Sequence, residues 1–188
     1  MLIDEFMPSF DVAERHGIVV RAPAERAYAA IRSVDLSRSL LIRSLFALRG
    51  FPVMFAGRRE ARRRLTLDDF LRSGFVVLAE EPGAEIVLGL IGRFWRPTGG
   101  LLLFAPEEFT GFRRPGYAKA VWNFRVEPVG EGRVRVATQT RVQTTDQDSC
   151  RSFLRYWRVI GPFSGLVRRE MLRLVRSVAE RANRSASD

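Results

Sequence analysis

The feature that most constrains this chain is an abrupt change in hydrophobic periodicity at Thr144. Before that residue, segments 117–128 and 133–144 alternate apolar and polar residues on either side of a glycine-rich turn, which is typical of a β-hairpin. After it, apolar residues recur at helical spacing to about Ala182. A sheet with one apolar face must be covered, and a long amphipathic helix can cover it.

The alternation assigns the side chains of the hairpin to two faces, because successive residues of a strand point to opposite sides. We expect one face to contact water and the other to face a core or a cavity. The predicted inner face comprises Ala118, Ala120, Trp122, Phe124, Val126, Val134, Val136, Thr138, Thr140 and Val142, and the predicted solvent face comprises Lys119, Asn123, Arg125, Glu127, Arg133, Arg135, Gln139, Arg141 and Gln143.

The remaining segments supply further strands and short helices. A β-branched run and a proline at a first helical turn predict a strand that leads into a helix, and Glu81, Pro82, Gly83 and Ala84 suit a type II turn between two strands. The predicted elements are a strand over 15–21, a helix after Pro23, a second helix from Asp35 or Ser37 to about Leu48, an irregular stretch over 51–65, a short helix from Thr66 to Gly74, a hairpin of 75–80 with 85–95, and a strand over 100–105.

The start and the middle of the terminal helix carry recognisable signals. Thr145 and Asp148 resemble a capping box, with aspartate in place of the usual glutamate or glutamine. Pro162 lacks a backbone donor and should kink or divide the helix.

This order of elements resembles the START-like superfamily, also called SRPBCC, which includes polyketide cyclase/dehydrase-type and lipid-transfer domains. The resemblance implies a helix-grip fold, in which a curved antiparallel sheet wraps around the long C-terminal helix and two short helices follow the first strand. It also implies a cavity between sheet and helix that in relatives holds apolar molecules. The segments that carry it are 18–31 (IVVRAPAERAYAAI), 74–95 (GFVVLAEEPGAEIVLGLIGRFW), 138–142 (TQTRV) and 153–169 (FLRYWRVIGPFSGLVRR).

The resemblance covers roughly residues 14–182. It predicts an N-terminal arm over 1–13, one helix-grip domain over 14–182 and a frayed tail over 183–188. Gln139 stands where similar sequences are expected to carry glutamate, so an acidic role is not expected at that position.

The sequence offers little conventional chemistry. His16 is the only histidine and lies on the first predicted strand, where a structural role is expected, and Cys150 is the only cysteine. One histidine and one cysteine do not make a metal cluster, and phosphate-binding glycine loops are missing. We therefore predict no catalytic residue, no metal site and no cofactor.

The strong positive charge does not by itself indicate nucleic acid. The formal net charge is +10, but the arginines are scattered along the chain and Lys119 is the only lysine. The densest run, over 58–64, lacks interleaved aromatic residues that could stack on bases. No stretch of about twenty uncharged apolar residues occurs, so a cytoplasmic location is expected.

Three classes of function remain, and the oligomeric state stays open. The first is binding or transport of a hydrophobic small molecule or lipid. The second is a polyketide cyclase- or dehydratase-like enzyme. The third is a peripheral membrane module that makes transient membrane contact through segment 40–55 and neighbouring arginines. The predicted ligand-lining residues are Trp95, Phe104, Trp122, Phe124, Thr138, Thr140, Phe153, Tyr156 and Trp157.

Overall fold

The computed structural model describes residues 1–40, 42 and 65–184. Most of the second predicted helix, the arginine run over 58–64 and nearly all of segment 40–55 lie outside these residues. The described helices are α1 (Leu2–Phe6), α2 (Ala24–Ser33), α3 (Leu67–Arg72), α4 (Glu108–Gly111) and α5 (Gln147–Arg184), with a 3₁₀ turn at Leu36–Arg38, and the strands are β1 (Val12–Val20), β2 (Val76–Glu81), β3 (Glu85–Gly92), β4 (Ala118–Gly130) and β5 (Arg133–Thr144).

The five strands form one antiparallel sheet in the order β1-β5-β4-β3-β2. Helix α5 packs across the inner face of this sheet, where Met171, Leu172 and Val175 join Trp122 and Phe124 in a single core cluster. Helix α2 packs in the same core, so that the curved sheet and its long helix enclose one apolar layer. The α+β helix-grip prediction is confirmed.

The predicted turn between β2 and β3 is also confirmed. The amide of Ala84 donates to the carbonyl of Glu81 at 2.9 Å, and Gly83 has φ +84°. Only glycine adopts this backbone conformation at the third turn position without strain.

The start of α5 differs from the predicted capping box. Asp146, rather than Thr145, caps the helix: its carboxylate accepts from the Ser149 amide at 2.8 Å and from the Gly116 amide at 2.5 Å. These backbone donors hold the pKa of Asp146 well below its ordinary value. The helix then runs without division to Arg184, with Pro162 inside it.

The predicted strand over 100–105 does not form. A single bridge joins Leu102 to Ile91, and the chain turns at Gly99 and Gly100, both of which have positive φ. Leu103 is 93% exposed, because the segment pairs at only one point.

The outer face of the sheet is the predicted solvent face only in part: Arg133 and Arg135 are exposed, but Lys119, Asn123, Gln139 and Arg141 are buried. The N-terminal residues Ile3 and Met7 pack against Val87, Ile91 and Val121 there. Polar side chains on this face are buried and bonded instead of solvated: Arg141 donates to the Met7 carbonyl and to Asp4, Asn123 donates to Glu85, and Lys119 donates to the Thr110 carbonyl. Burial lowers the pKa of Lys119 to about 8.

Segments 1–11 and 102–117 cover this face. The first lies more than a hundred residues before β4 and the second directly precedes it, but the packing of both is decided by tertiary contacts that a period-two pattern does not contain. In the part of the chain that the structure describes, no helix is long and apolar enough to cross a membrane.

We expect Ile3→Ala to lower the free energy of unfolding by about 2–5 kcal/mol, because a fully buried side chain would leave a cavity on the outer face. Urea denaturation would measure the change. The matched control is Val129→Ala, since Val129 is 44% exposed. Equal effects of the two substitutions would contradict the packing of α1 on the sheet.

Candidate functional site

A group of polar side chains lies between the inner face of the sheet and α5. Glu14 and His16 come from β1, Thr138 and Thr140 come from β5, and Arg168 comes from α5. The register of the strands places Glu14 opposite Thr140 and His16 opposite Thr138, so all four point to the same side. We call Glu14, His16, Thr140 and Arg168 the interior cluster.

Glu14 and His16 form a hydrogen-bonded pair. The distance between Glu14 Oε1 and His16 Nε2 is 2.8 Å, and the two side chains are 19% and 15% exposed. When Nε2 donates its hydrogen to the carboxylate, Nδ1 carries the lone pair of the neutral ring. The carboxylate therefore fixes both the orientation and the tautomer of the imidazole.

Arg168 holds a buried positive charge that is weakly compensated. Its Nη2 donates to Thr140 Oγ1 at 2.6 Å, which is a neutral partner. The nearest carboxylate oxygen is Glu14 Oε2, 3.8 Å from Nε. Neither of these two atoms forms a hydrogen bond, and both are buried. Burial lowers the pKa of Arg168 to about 10, and the charge of Glu14 offsets only part of this effect.

Gly165 permits the close approach of α5 to β1. A Cβ atom at this position would lie 2.5 Å from Glu14 Oε1 and 3.5 Å from His16 Nε2. The helix can rest directly on the Glu14–His16 pair because the residue above it has no side chain.

Trp122 and Thr138 lie deeper in the core, and their polar side-chain atoms form hydrogen bonds within the protein. Thr138 Oγ1 accepts from Trp122 Nε1 at 2.7 Å and donates to the Asn123 carbonyl at 2.8 Å. The Trp122 ring packs against Phe70, Phe75 and Phe124. Arg168 lies 5.7 Å from the centre of the same ring, within cation–π range.

A cleft between β1 and α5 leads to Glu14. It has a volume of about 420 Å³ and is lined by Ala13, Glu14, Trp157, Arg158, Gly161, Pro162, Gly165 and Arg169. We call it the β1 cleft. Gly161 and Gly165 have no side chain and Pro162 has a small one, so α5 fills little space on this side. The space left free forms the opening. The interior cluster and the β1 cleft share Glu14, so they form one site.

A second cleft, of about 410 Å³, lies at the other end of the sheet beside the start of α5. Trp95 and Arg93 line it together with Asp146 and Ser149. Two polar side chains of this second cleft already have hydrogen-bond partners within the protein: Arg93 donates to the Gly116 carbonyl at 3.0 Å, and Asp146 caps the helix.

The structure brings most of the predicted lining residues to the layer between sheet and helix. Phe153 is buried and stacks on Trp157 at 5.7 Å, and Tyr156 packs against Phe153. Phe104 lies on the outer face, where it packs against Phe109. The residues of the inner layer are Trp122, Phe124, Thr138, Thr140, Phe153, Tyr156 and Trp157.

Glu14, His16 and Arg168 were not among the predicted site residues, although the sequence contains signals for them. Glu14 and His16 share the parity of Val12, Ile18 and Val20, which pack in the apolar clusters, so two polar residues interrupt the apolar side of the strand. Arg168 lies three residues before Met171 and therefore on the buried stripe of α5. In both β1 and α5, the signal is a polar or charged residue at a position that the periodicity places on the apolar face.

The site offers hydrogen-bond donors, acceptors and one titratable pair, but no metal centre. Among the described residues, no three His, Cys, Asp or Glu side chains are placed to hold a metal ion. The chemistry available is binding of a polar group, proton exchange at His16, and stabilisation of negative charge by Arg168.

No protein-family model matches the sequence, and the comparison with curated proteins finds no match. Solved structures do align with it. A conserved protein from Geobacillus kaustophilus is 8% identical, with 91% of this chain and 97% of that chain covered and a TM-score of 0.46. The di-domain ARO/CYC BexL from the BE-7585A biosynthetic pathway is 15% identical, with 90% and 46% covered and a TM-score of 0.40. The Zhui aromatase/cyclase from Streptomyces sp. R1128 is 14% identical, with 93% and 97% covered and a TM-score of 0.35.

The strand order, the antiparallel pairing and the long helix across the inner face define the class of this protein as an α+β helix-grip fold. The interior cluster lies between the sheet and α5, and the β1 cleft opens from Glu14 to solvent.

We expect Gly165→Ala to separate Glu14 from His16, because its Cβ would occupy the space of the carboxylate. The carboxylate is the end of a flexible side chain and can move away from the helix, and alanine favours a helix over glycine by about 1 kcal/mol. Thermal denaturation should therefore show little loss of stability, and the chemical shifts of the His16 ring nitrogens, measured by NMR at one pH, would report the broken pair. Gly111→Ala is the control, since a Cβ at Gly111 meets no atom within 4 Å. Equal behaviour of the two variants would contradict the close contact.

Proposed function

We propose that this protein binds a hydrophobic small molecule between the inner face of the sheet and α5. The molecule enters through the β1 cleft and places one polar group at the interior cluster. The observation that carries this proposal is the pair of buried atoms Glu14 Oε2 and Arg168 Nε, which form no hydrogen bond.

Unsatisfied polar atoms are costly in a core. Each costs about 1–3 kcal/mol when buried without a partner, and a charged group costs more. A core selected only for stability would place apolar residues at positions 14 and 168. Retaining an acceptor and a donor there is typical of a site that recognises a polar group of a ligand.

The walls of the site supply the apolar part of the binding energy. Trp157 and Pro162 line the β1 cleft, and Trp122 lies beneath Arg168. Apolar contact contributes about 25 cal/mol per Å² of buried surface. Affinity would therefore come from the body of the ligand, and specificity from Arg168, Thr140 and Glu14.

We expect native mass spectrometry and organic extraction of the purified protein to recover an apolar compound in stoichiometric amount. Arg168→Met should lower its retention about tenfold, because one charge-assisted hydrogen bond is lost. The variant should still fold, since methionine keeps the apolar stem and removes a poorly compensated charge.

Arg176→Gln is the matched control, because Arg176 is exposed on the same helix outside the site. The binding proposal fails if the extract is empty and no compound of a lipid and polyketide panel raises the melting temperature of the wild-type protein.

A second candidate function is a polyketide cyclase- or dehydratase-like enzyme. The Glu14–His16 pair favours it, because a carboxylate that fixes an imidazole tautomer is a common arrangement for general acid–base work. If the protein has this activity, His16→Gln should lower turnover of an aromatic polyketide precursor about 100-fold or more while ligand binding is kept. Wild-type protein that binds the precursor and returns it unchanged would exclude this candidate.

A further inference from the structure

We propose that the ligand is an anionic amphiphile, an apolar molecule that ends in a carboxylate or a similar acid group. This inference rests on the proposed binding function and specifies the chemical class of the ligand. The distribution of charge around the β1 cleft carries it.

Arginines outnumber acidic residues around this site in the part of the chain that the structure describes. Arg158 and Arg169 line the β1 cleft, and Arg168 lies behind Glu14 at its inner end. Among the described residues that line the cleft, Glu14 is the only acidic one, and His16 already uses one of its oxygens. The electrostatic potential at the cleft is therefore positive, and a concave surface with low-dielectric walls concentrates that potential.

The two arginines at the cleft are available for a ligand. Among the residues that the structure describes, neither Arg158 nor Arg169 has a hydrogen-bond or ion-pair partner, and both are exposed. The other exposed arginines of α5 are of two kinds: Arg151 pairs with Asp148 and Arg173 pairs with Glu170, whereas Arg155 and Arg176 have no such partner among the described residues but do not line the cleft. Arg158 and Arg169 therefore combine unpaired donors with a position at the cleft.

The chemistry of arginine selects the class of anion. A guanidinium group presents parallel N–H donors that match the two oxygens of a carboxylate, and such pairs are shorter and stronger than neutral hydrogen bonds. Arg158 and Arg169 lie eleven residues apart, which is close to three helical turns and puts them on one side of α5, about 16 Å apart along its axis. An acid group that pairs with either arginine would leave its apolar chain free to lie along Trp157 and Pro162, which line the same cleft.

The acid group is expected to bind at the mouth of the cleft, beside Arg158 or Arg169, while the polar group that the proposed function places at the interior cluster is uncharged and lies at the other end of the apolar part of the ligand. A carboxylate placed deeper would meet the carboxylate of Glu14, and two like charges at close range repel each other. Glu14 thus limits how far the charged end can enter, whereas Arg168 adds to the positive potential from behind. This gives the ligand a defined direction.

The test compares decanoate with decanol, which share one chain and differ in charge. Isothermal titration calorimetry should show decanoate binding about tenfold more tightly, the effect expected of one charge-assisted contact. The preference should shrink as salt is raised, because the two arginines are exposed to solvent.

The double variant Arg158→Gln/Arg169→Gln should lose the preference for decanoate, with a larger fall in the affinity for decanoate than for decanol. Glu14→Gln should increase the preference, because it removes the repelling carboxylate. The control is Arg155→Gln/Arg176→Gln, which removes the same charge from exposed positions of α5 outside the cleft.

The outcomes separate the two proposals. Equal binding of both probes by the wild-type protein would leave the binding function standing and overturn the preference for an anion. A preference that the control pair abolishes as fully as the cleft pair would assign it to net charge and also overturn the inference. Binding of neither probe, together with an empty organic extract, would overturn the binding function and the inference with it.

Discussion

The packing of α5 against the inner face of the sheet is the interaction on which the rest of the structure depends. Met171, Leu172 and Val175 close the apolar side of the sheet, and Asp146 fixes where the helix begins. The hydrophobic effect drives this contact, because α5 is the longest helix among the described residues and covers the apolar inner face of the sheet. Every residue of the candidate site is positioned by this single interface.

The same interface is less apolar and less completely packed near β1. Gly161, Pro162 and Gly165 remove side-chain bulk from α5, and Glu14, His16 and Arg168 replace apolar residues that would pack more favourably. A buried charge with a distant partner lowers stability, since desolvation exceeds the Coulomb attraction. The fold tolerates this loss because the apolar layer formed by Trp122, Phe124 and the distal half of α5 continues on the other side.

The outer face shows a different use of buried polar groups. There Arg141 donates to the Met7 carbonyl and to Asp4, and Asn123 donates to Glu85, although Arg141 Nε is buried without a hydrogen bond. This network attaches the N-terminal segment to the sheet. The two faces differ in access to solvent: Glu14 lines the β1 cleft, whereas Arg141 lines neither of the two clefts described above.

The sequence by itself determined the local elements and the fold class. Period-two alternation marked β4 and β5, a proline and a glycine marked the turn at Ala84, and helical spacing marked α5, because these patterns reflect backbone geometry within a few residues. Only the tertiary structure decided which face of β4 meets water, that 100–105 stays unpaired, and that Glu14, His16 and Arg168 meet. Those three residues lie up to 154 positions apart, and no local periodicity encodes a contact between distant segments. The physical reason is that burial is a property of the assembled layers, whereas a sequence pattern shows only which side of its own element a residue occupies.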